Sequence, residues 1–592
     1  MRPHNRHFDE KTIRYHQAVK KISRFLSRNI YFIALAICFM TVFLTNFERW
    51  TGIYSDADGY MRAIRLKQWI QNFSFWEQPI PQSNYPYGDV LHWTRPMDIL
   101  WLLCYLPFSF IYPLKDAIFI GGAFLSPMIQ IFCALALIYG LKRHFNIYLV
   151  ILALFLFLNH FIGIFTASRP DHHSLMNLWL ICATSLSLCW LKKRKDRYLT
   201  RLGIVLALGV FTAIEGMFLY AGIIAFYLYL HVFQNISLHP ATKTAKSFAF
   251  TLSIFWLLNP PYQGWFYPDN GRISILFVCT AWLAYMGLWI LEKAHIHKWS
   301  LKILNLLCMA SGFALVLLTI FGADIFASPL TPEITTRWLR YNLEMQPFYK
   351  LKPDMQLYFY GFPLLALILN IYLLRIRRYR RIMLLNLCIG LPLFLLSLHA
   401  IRFANYQCVY SILPLISYVD YLYKKSAYAK NINLDFPIYI WGVILGFFLL
   451  QGLIAMPYSI TLTNKKTSKD FSPALCQQIK EIGGTLVTDV FVGPLYIWHC
   501  DINVIGTPYH RNISGIMETY QILSSPDDAE IVPLLLKHQA TQILVFDKYK
   551  NEFSQESKNS LYNRLIQHQN IPFYLEEVPT DFATAHLYRI KI

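Results

Sequence analysis

The sequence predicts a polytopic α-helical membrane protein with a C-terminal α/β domain outside the membrane. Three observations lead to this fold class: an apolar composition, a series of apolar runs of spanning length, and a polar tail with a different pattern. Of the 592 residues, 55% are hydrophobic and only 15% are charged, whereas a soluble protein carries about 25% charged residues. We therefore expect most of the chain to lie within a bilayer.

The formal net charge is +20, which in a soluble protein would suggest a nucleic-acid partner. Here the basic residues cluster in short segments between apolar runs, as in membrane proteins whose positive loops face the cytoplasm. We therefore expect no nucleic-acid binding. The basic head, residues 1–28, lacks a small-residue cleavage site after its apolar run. We interpret it as a cytoplasmic leader to a retained first helix rather than a cleaved signal peptide.

About thirteen apolar runs are long enough, or nearly so, to cross a bilayer. A further apolar run at 99–112 is short, which is more typical of an interfacial or re-entrant segment than of a span. The predicted spans are 29–47, 117–141, 147–166, 174–191, 202–217, 218–233, 247–260, 272–291, 303–327, 356–374, 382–398, 405–423 and 437–457.

The basic clusters indicate whether the run at 99–112 is a membrane span, because such clusters favour the cytoplasmic side. When this run is left out, all the clusters fall on one side; when it is counted as a span, every later cluster moves outside. The predicted topology therefore has a cytoplasmic N-terminus and an external C-terminus. The clusters are Lys20 to Arg28, Lys142-Arg143, Lys192 to Lys195, Lys293 to Lys302, Arg375 to Arg381 and Lys424-Lys425.

This topology divides the chain into a transmembrane domain, residues 1–457, and an external α/β domain, residues 458–592. The transmembrane domain carries polar clusters in the outer loops 48–116, 167–173 and 328–355. In the tail, strand-like segments alternate with charged helical ones. The predicted strands are Thr485 to Thr488, Asn503 to Gly506, Thr541 to Phe546 and His586 to Ile592, and the predicted helices are Asp527 to Lys537 and Gln555 to Gln567.

Two polar clusters on the predicted outer face carry candidate metal ligands. Asp56 and Asp58 precede a stretch with helical periodicity, so either could be a helix N-cap, but paired carboxylates are also what a hard cation requires. Asp171, His172 and His173 occupy a very short outer loop. A capping aspartate is again an alternative, yet two adjacent histidines add nothing to a cap. Carboxylate and imidazole together suit manganese or a similar ion.

Two further positions on the same face are Glu344 and Arg402. Alone, Glu344 is an ordinary surface acid, and Arg402 is a snorkelling arginine that follows an apolar run. The functional alternative for Arg402 is a bidentate clamp on a phosphate group. The secondary candidates are Glu215, which is costly to hold in an apolar stretch, His172, and His92, for which we favour loop packing over a role in the site.

Together these clusters resemble the catalytic subunit of oligosaccharyltransferases, membrane glycosyltransferases of the GT-C class. That family has thirteen spans, a cytoplasmic N-terminus and an external C-terminal domain. It also has an Asp in the first outer loop, an acidic pair in the second, a Glu in the fifth and a later Arg-Phe turn. The matching segments here are Asp58-Gly59-Tyr60, Asp171 with His173, Glu344-Met345-Gln346-Pro347, and Arg402-Phe403.

Two departures from the family pattern stand out. His173 takes the place where the family usually has an acid. The Trp-Trp-Asp motif, with which the family reads the hydroxyl residue of an Asn-x-Ser/Thr acceptor, is absent from the sequence. The nearest counterpart is Thr488 to Phe491, which leads into Pro508 to Asn512. The donor half of the family's mechanism therefore carries over better than its choice of acceptor.

The resemblance implies inverting transfer of a glycan from a polyprenyl-diphosphate carrier to a protein acceptor. The reaction would take place at the external face of the cell's inner (plasma) membrane. A divalent cation, Mn²⁺ or Mg²⁺, would neutralise the leaving diphosphate, and Arg402 would bind a donor phosphate. Asp58 and Glu344, with Asp56, are the implied catalytic carboxylates. The implied metal ligands are Asp58, Asp171, His173 and Glu344.

Three other functions remain open. The first is a GT-C transferase that uses a polyprenyl-monophosphate sugar to modify a lipid or a cell-surface glycan; the missing Trp-Trp-Asp motif keeps it open. The second is a transporter, although transporters usually show internal repeats and polar sites at the membrane midplane. The third is a non-catalytic assembly protein that has kept the fold.

The cysteines add one expectation. Cys476 and Cys500 are the only cysteines in the predicted external domain, and the others lie in or beside apolar runs, where cysteine behaves as a small hydrophobic residue. An external, oxidising compartment permits disulfides. We therefore predict a Cys476–Cys500 disulfide.

Overall fold

The computed structural model describes residues 10–46, 52–74, 76, 78–160, 164–294, 296–327, 330–339, 342–428, 442, 446, 471–549, 553, 557–582 and 584–592. The described chain is mostly helical, and a small sheet lies near its C-terminus. The helices up to residue 428 are α1 Glu10–Asn46, α2 Ala57–Gln71, α3 Pro96–Ser109, α4 Leu114–Leu141, α5 Ile147–His160, α6 His172–Lys193, α7 Asp196–Thr212, α8 Gly216–Gln234, α9 His239–Leu258, α10 Ile275–Lys293, α11 Trp299–Phe321, α12 Pro332–Arg337, α13 Pro353–Leu374, α14 Arg380–His399 and α15 Ala404–Tyr428.

Each predicted span within the described residues coincides with one of these helices. By length and composition, eight of the described helices can cross a membrane, so the chain is a multi-pass membrane protein. The predicted span 437–457 lies outside the described residues, and the total of thirteen stays a prediction. The short run 99–112 forms most of α3, an apolar helix below spanning length.

Small residues set the close helix contacts in the membrane domain. A Cβ on Gly203 of α7 would lie 2.6 Å from the Thr244 carbonyl oxygen of α9, and one on Gly140 of α4 would lie 2.5 Å from the Ser185 hydroxyl of α6. Helices in a bilayer gain their stability largely from such close packing. These contacts fix α6 and α7, which present two of the outer turns.

The C-terminal domain is a five-stranded sheet with strand order β2-β1-β3-β5-β4. β1 is parallel to β2 and β3, whereas β5 is antiparallel to β3 and β4. The strands are β1 Thr485–Val487, β2 Asn503–Val504, β3 Ala540–Phe546, β4 Leu575–Val578 and β5 Ala585–Ile590, and the helices are α16 Pro473–Ile482, α17 Gly493–Cys500, α18 Ile513–Ser524, α19 Asp528–Lys537 and α20 Leu561–Ile566.

The sequence predicted four of these strands and missed β4. The segment Leu575–Val578 carries Glu576 and Glu577, whose side chains are exposed. Two adjacent charges hide the alternation of a half-buried strand. The predicted helix Asp527 to Lys537 is α19, and of the predicted helix Gln555 to Gln567 the described part forms α20.

The C-terminal domain is fastened to the loops of the membrane domain. Lys67 and Lys115 both pair with Asp501, at 3.0 and 2.6 Å. Ile334 and Trp338, in and just after α12, are buried in the hydrophobic core that also contains Ile516 of α18. The structure pairs Cys476 of α16 with Cys500 of α17 in a disulfide. The described part of the loop 328–355 therefore packs against the C-terminal domain.

Candidate active site

Three of the loops that the sequence predicts to be on the outer face meet at the guanidinium group of Arg169. Its Nε lies 3.0 Å from Oδ2 of Asp56, and its Nη2 lies 3.0 Å from Oε1 of Glu344 and 3.5 Å from Oδ2 of Asp171. The sequence predicts these carboxylates on one face but assigns no separate role to Arg169. The structure brings Asp56, Asp171 and Glu344 together around this side chain.

The first loop reaches this point through a capped helix. Asp56 is the N-cap of α2, and its carboxylate accepts a hydrogen bond of 2.9 Å from the backbone N–H of Gly59. Ser55 donates from both its backbone N–H and its hydroxyl to the Ser168 carbonyl oxygen, which ties the first loop to the second. A Cβ on Gly59 would lie 2.9 Å from Cβ of Tyr54. Asp56 thus has both roles, as cap and as member of the cluster.

Asp58 is held by the C-terminal domain. The Tyr509 hydroxyl donates to Oδ1 of Asp58 at 3.1 Å and also lies 3.2 Å from the Ala57 carbonyl oxygen. Burial, together with the charges of Asp56 and Asp171, raises the pKa of Asp58 to about 7. The region therefore carries more negative charge than Arg169 balances, which is the electrostatic condition for binding a cation.

The second loop presents a mixed oxygen and nitrogen set. Asp171 caps α6, and the candidate ligand atoms of Asp171, His172 and His173 all lie within 4.8 Å of one another. Nδ1 of His172 is 2.8 Å from Oδ1 of Asp171, so these two side chains are in contact. Nδ1 of His173 contacts the Tyr406 hydroxyl, so its Nε2 is the nitrogen that faces Glu344, 4.0 Å away.

These donors fit a divalent cation. Carboxylate oxygens and imidazole nitrogens are ligands that Mn²⁺ and similar ions accept. His172, a secondary candidate from the sequence, places an imidazole nitrogen 2.8 Å from the Asp171 carboxylate. Shared coordination by Asp58 and Glu344 stays a prediction, since Asp58 is held by Tyr509 whereas Glu344 is held by Arg169.

Arg402 and Glu215, predicted separately, form an ion pair. Nη2 of Arg402 lies 3.2 Å from Oε1 of Glu215, and the Arg402 guanidinium carbon lies 5.0 Å from the centre of the Phe403 ring. The Ile401 N–H donates to the Gln346 carbonyl oxygen at 3.1 Å, so the turn adjoins the Glu344 loop.

His92 lies in a wall between the first loop and the C-terminal domain. The centre of its ring is 4.2 Å from that of His510, and the neighbouring Trp93 packs edge-on against Tyr509. Burial lowers the pKa of His92 well below its usual range, and burial with the charge of Arg511 lowers that of His510 to about 4. These packed, neutral rings are compatible with the favoured interpretation of His92 as a packing residue.

The sequence matches no protein-family model and no curated protein, whereas the fold matches solved structures. The oligosaccharyltransferase AglB from Archaeoglobus fulgidus, in complex with an inhibitory peptide and a dolichol-phosphate, superimposes with a TM-score of 0.67 at 13% identity. The match covers 89% of this chain and 70% of that one. The A. fulgidus enzyme tethered to an acceptor peptide containing the NVT sequon also gives 0.67, at 14% identity, over 95% of this chain and 74% of that one.

A third structure, the A. fulgidus oligosaccharyltransferase in complex with Zn and sulfate, gives a TM-score of 0.58 at 16% identity. It covers 88% of this chain and 68% of that one. Likeness at such identities concerns the fold. It confirms the predicted fold class, a polytopic helical membrane domain of the oligosaccharyltransferase GT-C type followed by a small α/β domain.

Proposed function

We propose that this protein is an oligosaccharyltransferase-like, inverting glycosyltransferase. It moves a glycan from a polyprenyl-diphosphate carrier to a protein acceptor at the external face of the inner (plasma) membrane. One observation carries the proposal: carboxylates from three outer loops of a GT-C-type fold converge at Arg169, with the Asp171–His173 donor set beside them.

The carboxylates and imidazoles of this cluster would hold a divalent cation, Mn²⁺ or Mg²⁺. The proposed ligands are Asp58, Asp171, His173 and Glu344, and Asp56 and His172 lie close enough to contribute. When bound, the cation supplies Lewis-acid stabilisation of the charge that develops on the leaving diphosphate. Arg169 orients Asp56 and Glu344, because one guanidinium group contacts both carboxylates.

Arg402 would bind a phosphate of the donor. Its side chain is about a third exposed, at 32%, and a guanidinium group carries five N–H donors in a planar fork. One edge of the fork can therefore remain on Glu215 while another meets a phosphate. Glu215 fixes the direction of the fork at the outer turn between α7 and α8, which gives this secondary candidate a positioning role.

Asp58 faces the side from which an acceptor would approach. The solved structures that resemble this chain include one with an inhibitory peptide and one with a tethered acceptor peptide, which supports a protein acceptor here. The acceptor side of Asp58 is lined by Tyr509 and, next to it, by His510. Because the sequence lacks the Trp-Trp-Asp motif, we expect an acceptor preference that differs from the Asn-x-Ser/Thr rule.

The topology and the domain division belong to the same proposal. The N-terminus is cytoplasmic, residues 1–457 form the transmembrane domain, and residues 458–592 form the external, periplasmic domain. The contacts that build the site join loops that the charge pattern assigns to one face. Asp58 and Tyr509 are in contact, so the C-terminal domain lies on that same face.

The test is transfer by the purified protein in lipid. One reaction receives a polyprenyl-diphosphate oligosaccharide and a library of acceptor peptides, and the other receives a polyprenyl-monophosphate sugar and a lipid acceptor. Manganese-dependent glycopeptide from the first reaction alone supports the proposal. Product from the second alone selects the other GT-C function, which the missing Trp-Trp-Asp motif keeps open. Turnover in neither reaction contradicts both.

A further inference from the structure

A second cluster of metal-ligand side chains lies in the C-terminal domain, apart from the acid cluster. It consists of His568, Glu577 and His586, whose candidate ligand atoms all lie within 4.8 Å of one another. We propose that these three residues bind a Zn²⁺ ion on the surface of this domain. The proposal does not rest on the proposed glycosyl transfer.

Two of the ligands come from one rigid hairpin. Glu577 of β4 stands opposite Tyr588 of β5. Side chains alternate along a strand, so His586 lies on the same face as Tyr588, diagonally across from Glu577. Diagonal neighbours on one face are within reach of long side chains. The sheet therefore fixes the relative position of these two ligands.

The third ligand arrives from the helix that covers this face. The Tyr588 hydroxyl donates to the Leu565 carbonyl oxygen in α20 at 2.7 Å, which holds the end of the helix against the sheet. His568 follows directly after α20. Its Nδ1 lies 3.1 Å from Oε2 of Glu577, and the centre of its ring is 4.9 Å from that of His586.

Asp547 supplies a second, independent feature of a metal site. Nε2 of His586 lies 3.3 Å from Oδ1 of Asp547, at the end of β3. A histidine that binds a metal usually donates its other ring N–H to a carboxylate, which fixes the tautomer and the orientation of the ring. With Asp547 accepting from Nε2, the Nδ1 atom of His586 is left to bind the ion.

Two imidazoles and one carboxylate form a common zinc set, in which a water molecule completes the tetrahedron. Zinc ligands at about 2.1 Å stand roughly 3.4 Å from one another, so atoms that lie within 4.8 Å of one another need to approach by at most about 1.4 Å. His568 and Glu577 are both 43% exposed and can make that movement. The ion would join the end of α20 to the β4–β5 hairpin.

Without a metal, the same side chains form two exposed ion pairs, His568–Glu577 and His586–Asp547. Such pairs typically stabilise a protein by less than about 1 kcal/mol. A bound ligand instead stabilises in proportion to the logarithm of its concentration over its dissociation constant. Added zinc therefore distinguishes a zinc site from two metal-free ion pairs.

The experiment uses the full-length protein in detergent, in an Asp171→Asn, His173→Ala background that disables the candidate active-site metal. Equilibrium dialysis against ZnCl₂ should recover one zinc per chain, and zinc, unlike MgCl₂, should raise the unfolding temperature. His568→Ala combined with His586→Ala should abolish both effects. Asp547→Asn, which retains all three ligands, should weaken zinc affinity about 10–100-fold.

The matched control is His239→Ala, which removes an exposed histidine that also pairs with a carboxylate, that of Asp196 at 2.9 Å. Zinc affinity should be unchanged in this variant. The proposal is overturned if the background protein binds no zinc, if Asp547→Asn binds as tightly as its parent, or if His239→Ala loses zinc as well. Should the double histidine variant fail to fold, the Asp547→Asn affinity decides.

Discussion

Replacing Arg169 by glutamine tests whether the three outer loops share a cation. The substitution removes contacts with Asp56, Asp171 and Glu344, whose side chains are 32%, 3% and 45% exposed. The two more exposed pairs, with Asp56 and with Glu344, each contribute less than about 1 kcal/mol to stability. Loss of a buried partner costs about 3–5 kcal/mol, but Asp171 keeps its contact with His172. We expect the metal-free protein to lose about 3 kcal/mol of unfolding free energy.

Manganese should reduce that loss. Two unit charges 4 Å apart interact by about 4 kcal/mol at the effective dielectric constant near a protein surface, so the Arg169 charge opposes a cation bound among the same carboxylates. The Arg169→Gln variant should therefore bind Mn²⁺ at least tenfold more tightly than the wild type. Because a tighter ligand stabilises more at equal concentration, the stability gap should narrow as Mn²⁺ is added.

Thermal unfolding of the wild type and of Arg169→Gln across a manganese titration measures the difference in stability between them, and isothermal calorimetry measures their affinity for Mn²⁺. Arg511→Gln is the matched control, since it also removes an arginine–carboxylate pair, with Asp269, on the same side of the protein. Its stability loss should not depend on manganese. If the Arg169→Gln loss is equally independent of manganese, the carboxylates around Arg169 do not hold a cation and the proposed metal site is wrong.

Four further predictions concern other parts of the chain. Asp58→Asn should lower turnover much more than donor affinity, since charge on the diphosphate grows towards the transition state, whereas Arg402→Ala should weaken donor binding as well. Initial rates measured across a donor titration separate turnover from donor affinity, and equal effects of the two variants would contradict the roles proposed for Asp58 and Arg402. Cys476→Ser with Cys500→Ser should cost about 3 kcal/mol in denaturant unfolding, because the closed loop spans 24 residues and a loop of that length stabilises by roughly this amount; no loss would show that the bond is dispensable. Burial raises the pKa of Asp89 to about 6, so the folded protein holds this proton more tightly than the unfolded chain does. The resulting stability is full below about pH 4 and is lost as the pH rises through 6. Asp89→Asn should flatten the dependence of unfolding free energy on pH in this range, and an unchanged dependence would refute the raised pKa of Asp89. A cysteine at Lys558 should react with an impermeant reagent in intact cells and one at Lys192 should not, and the reverse would overturn the topology.

Much of the membrane fold could be predicted from the sequence because each span carries its own local signal. A run of apolar residues of the right length is sufficient to indicate a helix in a bilayer, and the described helices follow those runs closely. The motif around Asp171 was likewise visible, since an aspartate and two histidines in a short loop need no distant partner to be noticed. Strand β4 was missed because Glu576 and Glu577 break the expected alternation.

The residues that complete the site could not be predicted in this way. Arg169 contacts Asp56 and Glu344, which lie 113 and 175 residues away in the chain, and Tyr509 meets Asp58 across 451 residues. An arginine next to a proline in a loop gives no local sign of such partners. A polar side chain in an outer loop can be recognised from composition, but its partner is chosen by the packing of helices far away in sequence.

The arrangement of loop 328–355 explains why the two domains belong to one site. Ile334 and Trp338 anchor one part of the loop in the core of the C-terminal domain, and Glu344 anchors the next part to Arg169 in the membrane domain. Five residues lie between Trp338 and Glu344, so the two anchors are close together in the chain. Tyr509 of the C-terminal domain also contacts Asp58. Two of the four proposed metal ligands, Asp58 and Glu344, therefore lie at or next to contacts with the C-terminal domain, whereas Asp171 and His173 lie at the start of α6 in the membrane domain.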